Sequence, residues 1–439
     1  MPEAIDWPAV HAEALDVLVR YLRIDTSNPP GNEAPAARFL GGLLESEGVA
    51  CEYVETAPGR EALHARLRGD GSGRPLMLCN HTDVVPVEAE QWTVPPFEGV
   101  VREGKVYGRG AVDMKGAAVM QLFAFLLAKR QRLALKRDLV FCAVPDEEMG
   151  SQLGMAWLLA HRPDLVDVGY AITEGGSGQP DFGGQEARLF NVAVNEKEMA
   201  PLRLTAVGPP GHGSRPHADN SAVRLMRALV RLAAWDRGIS FTPETRDYLD
   251  RLRRGGLLDT LDDPAALEAA VTASPDTHAA FTNTLNVTML RAGIKSNVIP
   301  ARSEAVVDCR LLPGESRDAW REQVVAYLDD PRITVEFELA SINEEPPMVA
   351  SAWDTGLSRV IEAVLTEALE GSVVAPAIST VGTDNRFLRR AGVTAYGLIP
   401  CLLSPEERAG FHANDEFLTV ENLNMGCELM YEIVRRFCT

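Results

Sequence analysis

The chain has 439 residues, of which 46% are hydrophobic and 24% are charged, and its formal net charge is −19 at pH 7. This length exceeds the usual range of a single domain, so we expect two domains with enough apolar residues for a sizeable core. The strong negative charge argues against nucleic acid or an anionic membrane as a partner. No apolar stretch is long enough to span a bilayer.

The cysteines and the first residues bear on the cellular compartment. Seven cysteines are scattered along the chain, without paired spacing. This pattern argues for a reducing compartment and against thiol–metal chemistry. Residues 1–6 lack the basic and apolar regions of a signal peptide. We therefore expect a cytoplasmic protein.

Two adjacent carboxylates, Glu147 and Glu148, follow an apolar run at 139–144 that is typical of a buried strand. Such a pair is costly to desolvate unless a cation lies beside it. A metal ion bound by one carboxylate, with the other free to transfer protons, resolves this conflict. The competing interpretation is a solvated acidic loop, because such triplets of acidic residues are common.

A second apolar run, at 75–80, ends in His81, Thr82 and Asp83. An isolated histidine is more often a structural hydrogen-bonding residue than a ligand. The carboxylate of Asp83, two residues later, makes a ligand role for His81 more favourable, because it can hold the imidazole tautomer that a metal needs. The pattern at this strand end therefore favours a metal ligand.

Three further candidates follow along the chain. Asp113 lies in a glycine-rich turn at 108–116 and is equally suited to bind a metal or to cap a helix predicted over 117–130. A third apolar run ends in Glu174, which glycines follow, and His412 precedes the last helix. Most candidates follow strands or turns, and open α/β sheets bind ligands beyond the carboxyl ends of their strands.

These motifs, in this order, resemble the M20 metallopeptidase family, which includes aminoacylases, glutamate carboxypeptidases, succinyl-diaminopimelate desuccinylases and acetylornithine deacetylases. The resemblance rests on 81–86, 108–116, 146–148 and His412, and it covers nearly the whole chain. It implies an α/β fold with a mainly parallel sheet in a catalytic domain of the phosphorylase/hydrolase-like, zinc-exopeptidase type. An inserted α+β lid or dimerisation domain belongs to the same fold.

The resemblance also implies two zinc ions per chain. Two such ions acidify a shared water and polarise the scissile carbonyl. Cobalt and manganese are alternatives, since histidine and carboxylate ligands suit all three metals. Asp113 would bridge the ions, and the terminal ligands would be His81 and Glu174 for one ion and Glu148 and His412 for the other.

Three catalytic roles follow from the same resemblance. Glu147 matches the general base, and Asp83 matches the residue that supports His81. His212 lies in a Pro/Gly turn, where a histidine is usually only a loop residue. It matches a lid histidine that reaches the neighbouring subunit's site and stabilises the oxyanion of the reaction.

Four residues match the family's substrate contacts. Arg310 would grip a substrate carboxylate, a task that suits its fork of permanently charged donors. The alternative for Arg310 is a salt bridge with Asp308 or an ordinary surface position. Asn297, Gly382 and Thr383 match the other contacts on the substrate side.

The pattern of strands and helices divides the chain. Helices and strands alternate up to about residue 190, as they do in parallel α/β folds. We expect 1–196 and 343–439 to form the catalytic domain and 197–342 to form the lid, with a helical insertion at about 236–280. Such an insertion is similar to the branch that holds yeast-type carboxypeptidase S and N-acyl amino acid hydrolases.

These observations predict a co-catalytic di-zinc hydrolase that cleaves an amide or peptide bond of a small molecule or short peptide with a free carboxylate. N-acyl amino acids and short peptides fit this description. One alternative is a dipeptidase or aminopeptidase that needs a free amine. Another is a catalytically silent metal-binding relative, which would usually lack the base or a ligand. A homodimer through the lid domain is expected, without nucleic acid or membrane partners.

Overall fold

The computed structural model describes residues 4–259, 261–272, 274–339 and 346–439. Its helices are α1 (Trp7–Leu22), α2 (Ala34–Ser46), α3 (Lys115–Arg130), α4 (Met155–His161), α5 (Ser221–Ala233), α6 (Pro243–Arg254), α7 (Pro264–Val271), α8 (Pro275–Ala279), α9 (Arg317–Leu328), α10 (Gly356–Ala368), α11 (Asn385–Arg390), α12 (Pro405–Ala409) and α13 (Val420–Cys438). Its strands are β1 (Cys51–Ala57), β2 (Arg60–Leu67), β3 (Leu76–His81), β4 (Val100–Arg102), β5 (Lys105–Tyr107), β6 (Leu139–Val144), β7 (Tyr170–Phe182), β8 (Gln185–Glu196), β9 (Glu198–Met199), β10 (Leu202–Val207), β11 (Gly211–His212), β12 (Thr284–Ala292), β13 (Val298–Ile299), β14 (Arg302–Leu311), β15 (Ile333–Phe337), β16 (Ser372–Ser379), β17 (Thr394–Leu402) and β18 (Phe417–Thr419). No helix in these ranges combines the length and the apolar character needed to cross a bilayer.

The larger sheet has the strand order β1-β2-β6-β3-β7-β17-β8-β16. Its centre is parallel, since β3 pairs in parallel with β6 and β7, and β7 pairs in parallel with β17. Helices α1, α3, α10 and α13 pack on one face, and α4 and α11 pack on the other. Strands β3 and β6 are buried along their whole length, which explains their unbroken apolar sequences. The predicted α/β class is confirmed.

Strand β7 is longer than its sequence suggested. The third apolar run was expected to end at Glu174, but the strand continues through the glycines to Phe182 and forms a hairpin with β8. The glycines permit this because the backbones approach closely. A Cβ atom added at Gly176 would lie 2.3 Å from the backbone oxygen of Asn191 and 2.6 Å from that of Gly397.

The smaller sheet is antiparallel, with the order β12-β14-β10-β15 and with β9 paired to β14. Helices α5 and α9 pack on it around a separate apolar core. A short pair, β11 with β13, lies beside it and carries His212. Strands β9 to β15 and helices α5 and α9 lie within 197–342, the range predicted for the lid.

The helical segment α6–α8 packs on the larger sheet, although the predicted domain division assigns 236–280 to the lid. Tyr248, Leu249 and Leu252 are buried in one apolar cluster with Leu189 of β8 and Ala375 of β16. The domain limits themselves stay a prediction, and the boundary at 342/343 lies outside the described residues. The position of this segment decides the shape of the site described next.

Candidate active site

Five side chains form two adjoining groups at the carboxyl edge of the larger sheet. His81 Nε2 lies 3.1 Å from Asp113 Oδ1 and 3.5 Å from Glu174 Oε1. His412 Nε2 lies 3.1 Å from Asp113 Oδ2 and 3.3 Å from Glu148 Oε2. Asp113 therefore turns one carboxylate oxygen towards each histidine. Within each group the possible ligand atoms lie within 4.8 Å of one another, so all five predicted ligands meet here.

The charges of these groups perturb one another strongly. Burial and the nearby Asp113 charge raise the pKa of Glu174 to about 8. Hydrogen bonds to Asp113 and Glu148 raise the pKa of His412 to about 10. Burial alone would lower the pKa of His81, but Glu174 and Asp113 outweigh it and raise that pKa well above its ordinary value. The cluster thus holds an excess of buried negative charge, which bound cations would offset.

The donor set fits divalent metal ions. Two imidazoles and three carboxylates are ligands that zinc, cobalt and manganese all accept. The Oε1 atom of Glu148 is buried and has no hydrogen-bond partner among the described residues. A cation would satisfy this atom, whereas the surrounding protein does not. The residues present therefore fit two ions that share Asp113.

The local structure explains why these side chains meet. His81 is the last residue of β3, Glu174 lies within β7, and Glu148 lies in a 3₁₀ turn that follows β6. These three strands are adjacent and parallel, so they deliver their side chains to the same edge. Asp113 comes from the loop before α3, and the N-cap of that helix is Met114 rather than Asp113.

Asp83 is fully buried and contacts both halves of the site. Its backbone oxygen lies 2.9 Å from His81 Nδ1, so this nitrogen must donate and Nε2 keeps its lone pair for a ligand role. Its carboxylate lies farther from the same ring, with Oδ1 at 3.6 Å. The carboxylate instead accepts the backbone N–H groups of Glu147 and Glu148, each at 3.1 Å. The support predicted for His81 thus comes mainly from the backbone, while the side chain orders the acidic turn.

A buried ionic network that the sequence analysis missed fixes the start of this turn. Asp146 has a left-handed backbone conformation with φ of 73°. Its carboxylate accepts Arg60 Nη2 at 2.9 Å, Asn28 Nδ2 at 3.3 Å and the backbone N–H of Leu153 at 2.8 Å. Arg60 also pairs with the buried Glu33. No local pattern marks Asn28 or Arg60, because their partners are distant in sequence.

Glu416 holds the loop that carries Asp113, and sequence reasoning gave it no role. Its buried carboxylate accepts the backbone N–H groups of Gly110 at 2.8 Å, Val112 at 2.7 Å and Asp113 at 3.1 Å. Arg109 Nη1 donates to it at 2.8 Å. The only sequence feature that pointed to Glu416 was its position four residues after His412. The fixed loop positions Asp113 between the two histidines.

A cavity of about 520 Å³ opens from the cluster. Glu147 lines it, and burial, together with the negative charge of Glu174, raises the pKa of Glu147 well above its ordinary value. Gly382 also lines the cavity. Thr383 does not, because its backbone N–H and its hydroxyl donate to the buried Glu196 at 2.9 and 2.8 Å. The substrate role of Thr383 stays a prediction.

The remaining predicted residues belong to the smaller sheet and its short neighbouring strands, and they do not line this cavity. His212 is exposed, and its Nδ1 accepts the hydroxyl of Ser214 at 2.8 Å. The backbone oxygen of Asn297 accepts the N–H of Gly213 in this turn at 2.8 Å. Arg310 forms the alternative salt bridge with Asp308, at 2.9 Å. Roles for these residues require a different arrangement of the smaller sheet or a second chain, and they stay predictions.

The fold and the paired histidine–carboxylate groups are those of a metallohydrolase. A model of the peptidase family M20/M25/M40 matches residues 77–436, and the chain belongs to this family. It is therefore a metal-dependent hydrolase that acts on amide bonds.

Individual relatives support the same assignment. Aminoacylase-1 of Sus scrofa is 31% identical over 408 residues, which cover 91% of this chain and 89% of that protein. An N-fatty-acyl-amino acid synthase/hydrolase of Mus musculus is 29% identical over 386 residues, covering 83% and 75%. The crystal structure of the M20 family metallo-carboxypeptidase Sso-CP2 from Sulfolobus solfataricus matches with a TM-score of 0.72 and 19% identity, covering 97% of this chain and 99% of that one.

Proposed function

We propose that this chain is a dinuclear zinc amidohydrolase that releases an amino acid with a free carboxylate from an N-acyl amino acid. The observation that carries the proposal is Asp113, which directs one oxygen to each histidine–carboxylate group beside Glu147. Relatives of similar length that are named aminoacylase and N-fatty-acyl-amino acid synthase/hydrolase support the substrate class. Short peptides with a free carboxylate are the other substrates of this type.

The chemistry divides between the ions and the protein. Two divalent ions, when bound, lower the pKa of a water and polarise the scissile carbonyl. Glu147 would accept a proton as water adds to the carbonyl carbon, and it would return that proton to the nitrogen that leaves when the C–N bond breaks. Glu148, held beside His412, serves as a ligand. Asp83 keeps the two glutamates in place through their backbone N–H groups.

Substrate binding and closure involve the smaller sheet in this proposal. Arg310 grips the carboxylate of the substrate, and His212 of one chain completes the site of its partner in a homodimer.

The free state of all seven cysteines supports a reducing, cytoplasmic location.

A substrate panel tests the proposal. Metal-loaded protein is assayed with N-acyl amino acids, their carboxyl amides and unblocked dipeptides, and the released α-amine is measured. We expect hydrolysis of the N-acyl amino acids and a large loss on amidation. Arg310→Ala should cause a similar loss, and the two changes together should cost little more than either alone. Hydrolysis of the unblocked dipeptides alone would contradict the proposal and favour an enzyme that needs a free amine.

A further inference from the structure

We infer that the helical segment α6–α8 forms a pocket for the acyl group of the substrate, so that the chain selects apolar acyl groups longer than acetyl. This inference rests on the proposed function and specifies which group of the substrate the cavity binds. It also assigns a role to a segment that belongs to neither the metal site nor the smaller sheet.

The cavity lies where the segment leaves the larger sheet. Side chains alternate between the two faces along β8 and β16. On the face that α6 covers, Leu189 and Ala375 pack against the helix, whereas Asn191 and Ala377 line the cavity. Tyr248 belongs to both the packed cluster and the cavity wall. The cavity therefore lies between the metal ligands and the place where α6–α8 packs on β8 and β16.

The wall away from the metal ligands carries a group of apolar side chains beside polar ones such as Gln179, Thr245 and Asp276, and it comes from one chain. Strands β16 and β17 provide one side, α6 and the end of α8 provide the opposite side, and the loop before His412 provides a third. The apolar side chains include those of Tyr248, Phe281, Ile378, Val381, Ile399 and Phe411. No second copy is needed to enclose this space.

The charges around the cavity decide which end of the substrate enters it. Besides His412, Arg408 is the only cationic side chain that the described residues contribute to the lining. Arg408 already donates to the backbone oxygen of Leu403 at 2.6 Å and lies 3.6 Å from Asp181. Away from the metal ligands, a substrate carboxylate would lie in a cavity lined by Asp276 without an unpaired cationic side chain among the described residues, which is costly. An uncharged acyl chain avoids that cost.

The size of the cavity sets the expected chain length. About 520 Å³ lies within the range of sites for small molecules. An acetyl group fills only a small part of it. Each further methylene removed from water is worth about fourfold in kcat/KM, until the cavity is full.

The test compares N-acetyl and N-octanoyl derivatives of one amino acid with the metal-loaded enzyme. Ala280→Phe places a ring in the cavity and should reduce the octanoyl-to-acetyl ratio of kcat/KM by about tenfold or more. The matched control is Ala269→Phe, the same change at an exposed position of α7. This control should keep the ratio of the wild type. Thermal unfolding of each variant shows whether it is folded.

A second measurement avoids the variants. Octanoate should inhibit the wild-type enzyme competitively and more strongly than acetate. Equal kcat/KM values for the two acyl groups in the wild type, an unchanged ratio in folded Ala280→Phe, or equal inhibition by the two acids would overturn the inference. If only unblocked dipeptides are hydrolysed, the proposed function fails. Inhibition of dipeptide hydrolysis by octanoate then still tests whether the cavity binds an apolar chain.

Discussion

Glu147 and Glu148 are neighbours in sequence but face different partners. The Glu148 carboxylate lies 3.3 Å from His412 Nε2, whereas that of Glu147 contacts neither histidine within salt-bridge distance. Both backbone N–H groups are held by Asp83, so the turn is fixed and the side chains diverge. This geometry lets one carboxylate bind a cation while the other transfers protons.

Substitution of each glutamate by glutamine should separate these roles. Glu147→Gln keeps the shape of the side chain but removes its ability to accept a proton. It should lower kcat by about 10²–10⁴-fold, the usual worth of general acid–base catalysis, while bound metal stays unchanged. Glu148→Gln should instead reduce bound metal. Elemental analysis beside steady-state kinetics distinguishes the two, and reversed phenotypes would mean that the roles are exchanged.

The side chains that meet at the candidate metal site were accessible from the sequence, and the residues that support them were not. His81 and Glu148 come at the ends of apolar runs that are typical of buried strands, so their positions at a sheet edge were predictable. Asn28 and Arg60 act on Asp146 across the fold, and no spacing in the chain links them to it. Thr383 matched a substrate contact, but its donors are engaged by Glu196, which a motif does not reveal.

At the level of elements, the position of the helical segment α6–α8 also could not be predicted from the sequence. The ends of α6 follow ordinary capping preferences: Thr242 is its N-cap, Pro243 occupies its first position and Gly255 is its C-cap. Local capping chemistry determines such ends. It does not determine which surface the apolar face of the helix covers, because the larger and the smaller sheet both expose apolar faces to be buried. The cavity was therefore not predictable from the sequence.

Lys197 anchors the end of this segment and should make stability depend on pH. Its Nζ donates to the backbone oxygens of Ala279 at 2.9 Å and Thr282 at 2.7 Å. Burial lowers the pKa of Lys197 from 10.5 to about 7. Between these values the unfolded chain binds more protons than the folded one, so the free energy of unfolding rises with pH.

Lys197→Met removes this contribution. The difference in the free energy of unfolding between wild type and variant should therefore grow as the pH rises from about 7 to 10.5 and stay constant below that window. Urea denaturation across the window measures it. The exposed Lys295→Met serves as the control and should follow the wild type at every pH. A Lys197→Met curve parallel to the wild type throughout would show that the ammonium titrates normally.

At the scale of the whole molecule, the smaller sheet ends in an edge strand that is suited to pairing. Strand β12 forms this edge, and Val287, Met289 and Leu290 are exposed on it. An exposed apolar edge is a ready site for a second strand, and twofold dimers are the commonest homo-oligomers. His212 lies on the separate short strand β11, and its exposed position is compatible with a reach into the site of a partner.

A mixture of two inactive variants tests whether His212 acts across the dimer. His212→Ala should lower kcat by about 10²–10³-fold, as loss of other oxyanion donors does. When it exchanges subunits with Glu147→Gln, half of the random dimers are hybrids with one complete site. Activity per chain should rise towards about a quarter of the wild type. Absence of recovery despite verified exchange would mean that His212 acts within its own chain or not at all.

The central claim is a pair of metal ions that share Asp113, and one titration tests it. Metal-free protein receives zinc in steps while bound metal and hydrolysis of an N-acyl amino acid are followed together. We expect activity to level off only when both groups are filled, at about two equivalents per chain. In Asp113→Ala both groups should lose affinity, because one side chain serves both. Full activity at one equivalent, or hydrolysis that persists in the metal-free protein, would contradict the account.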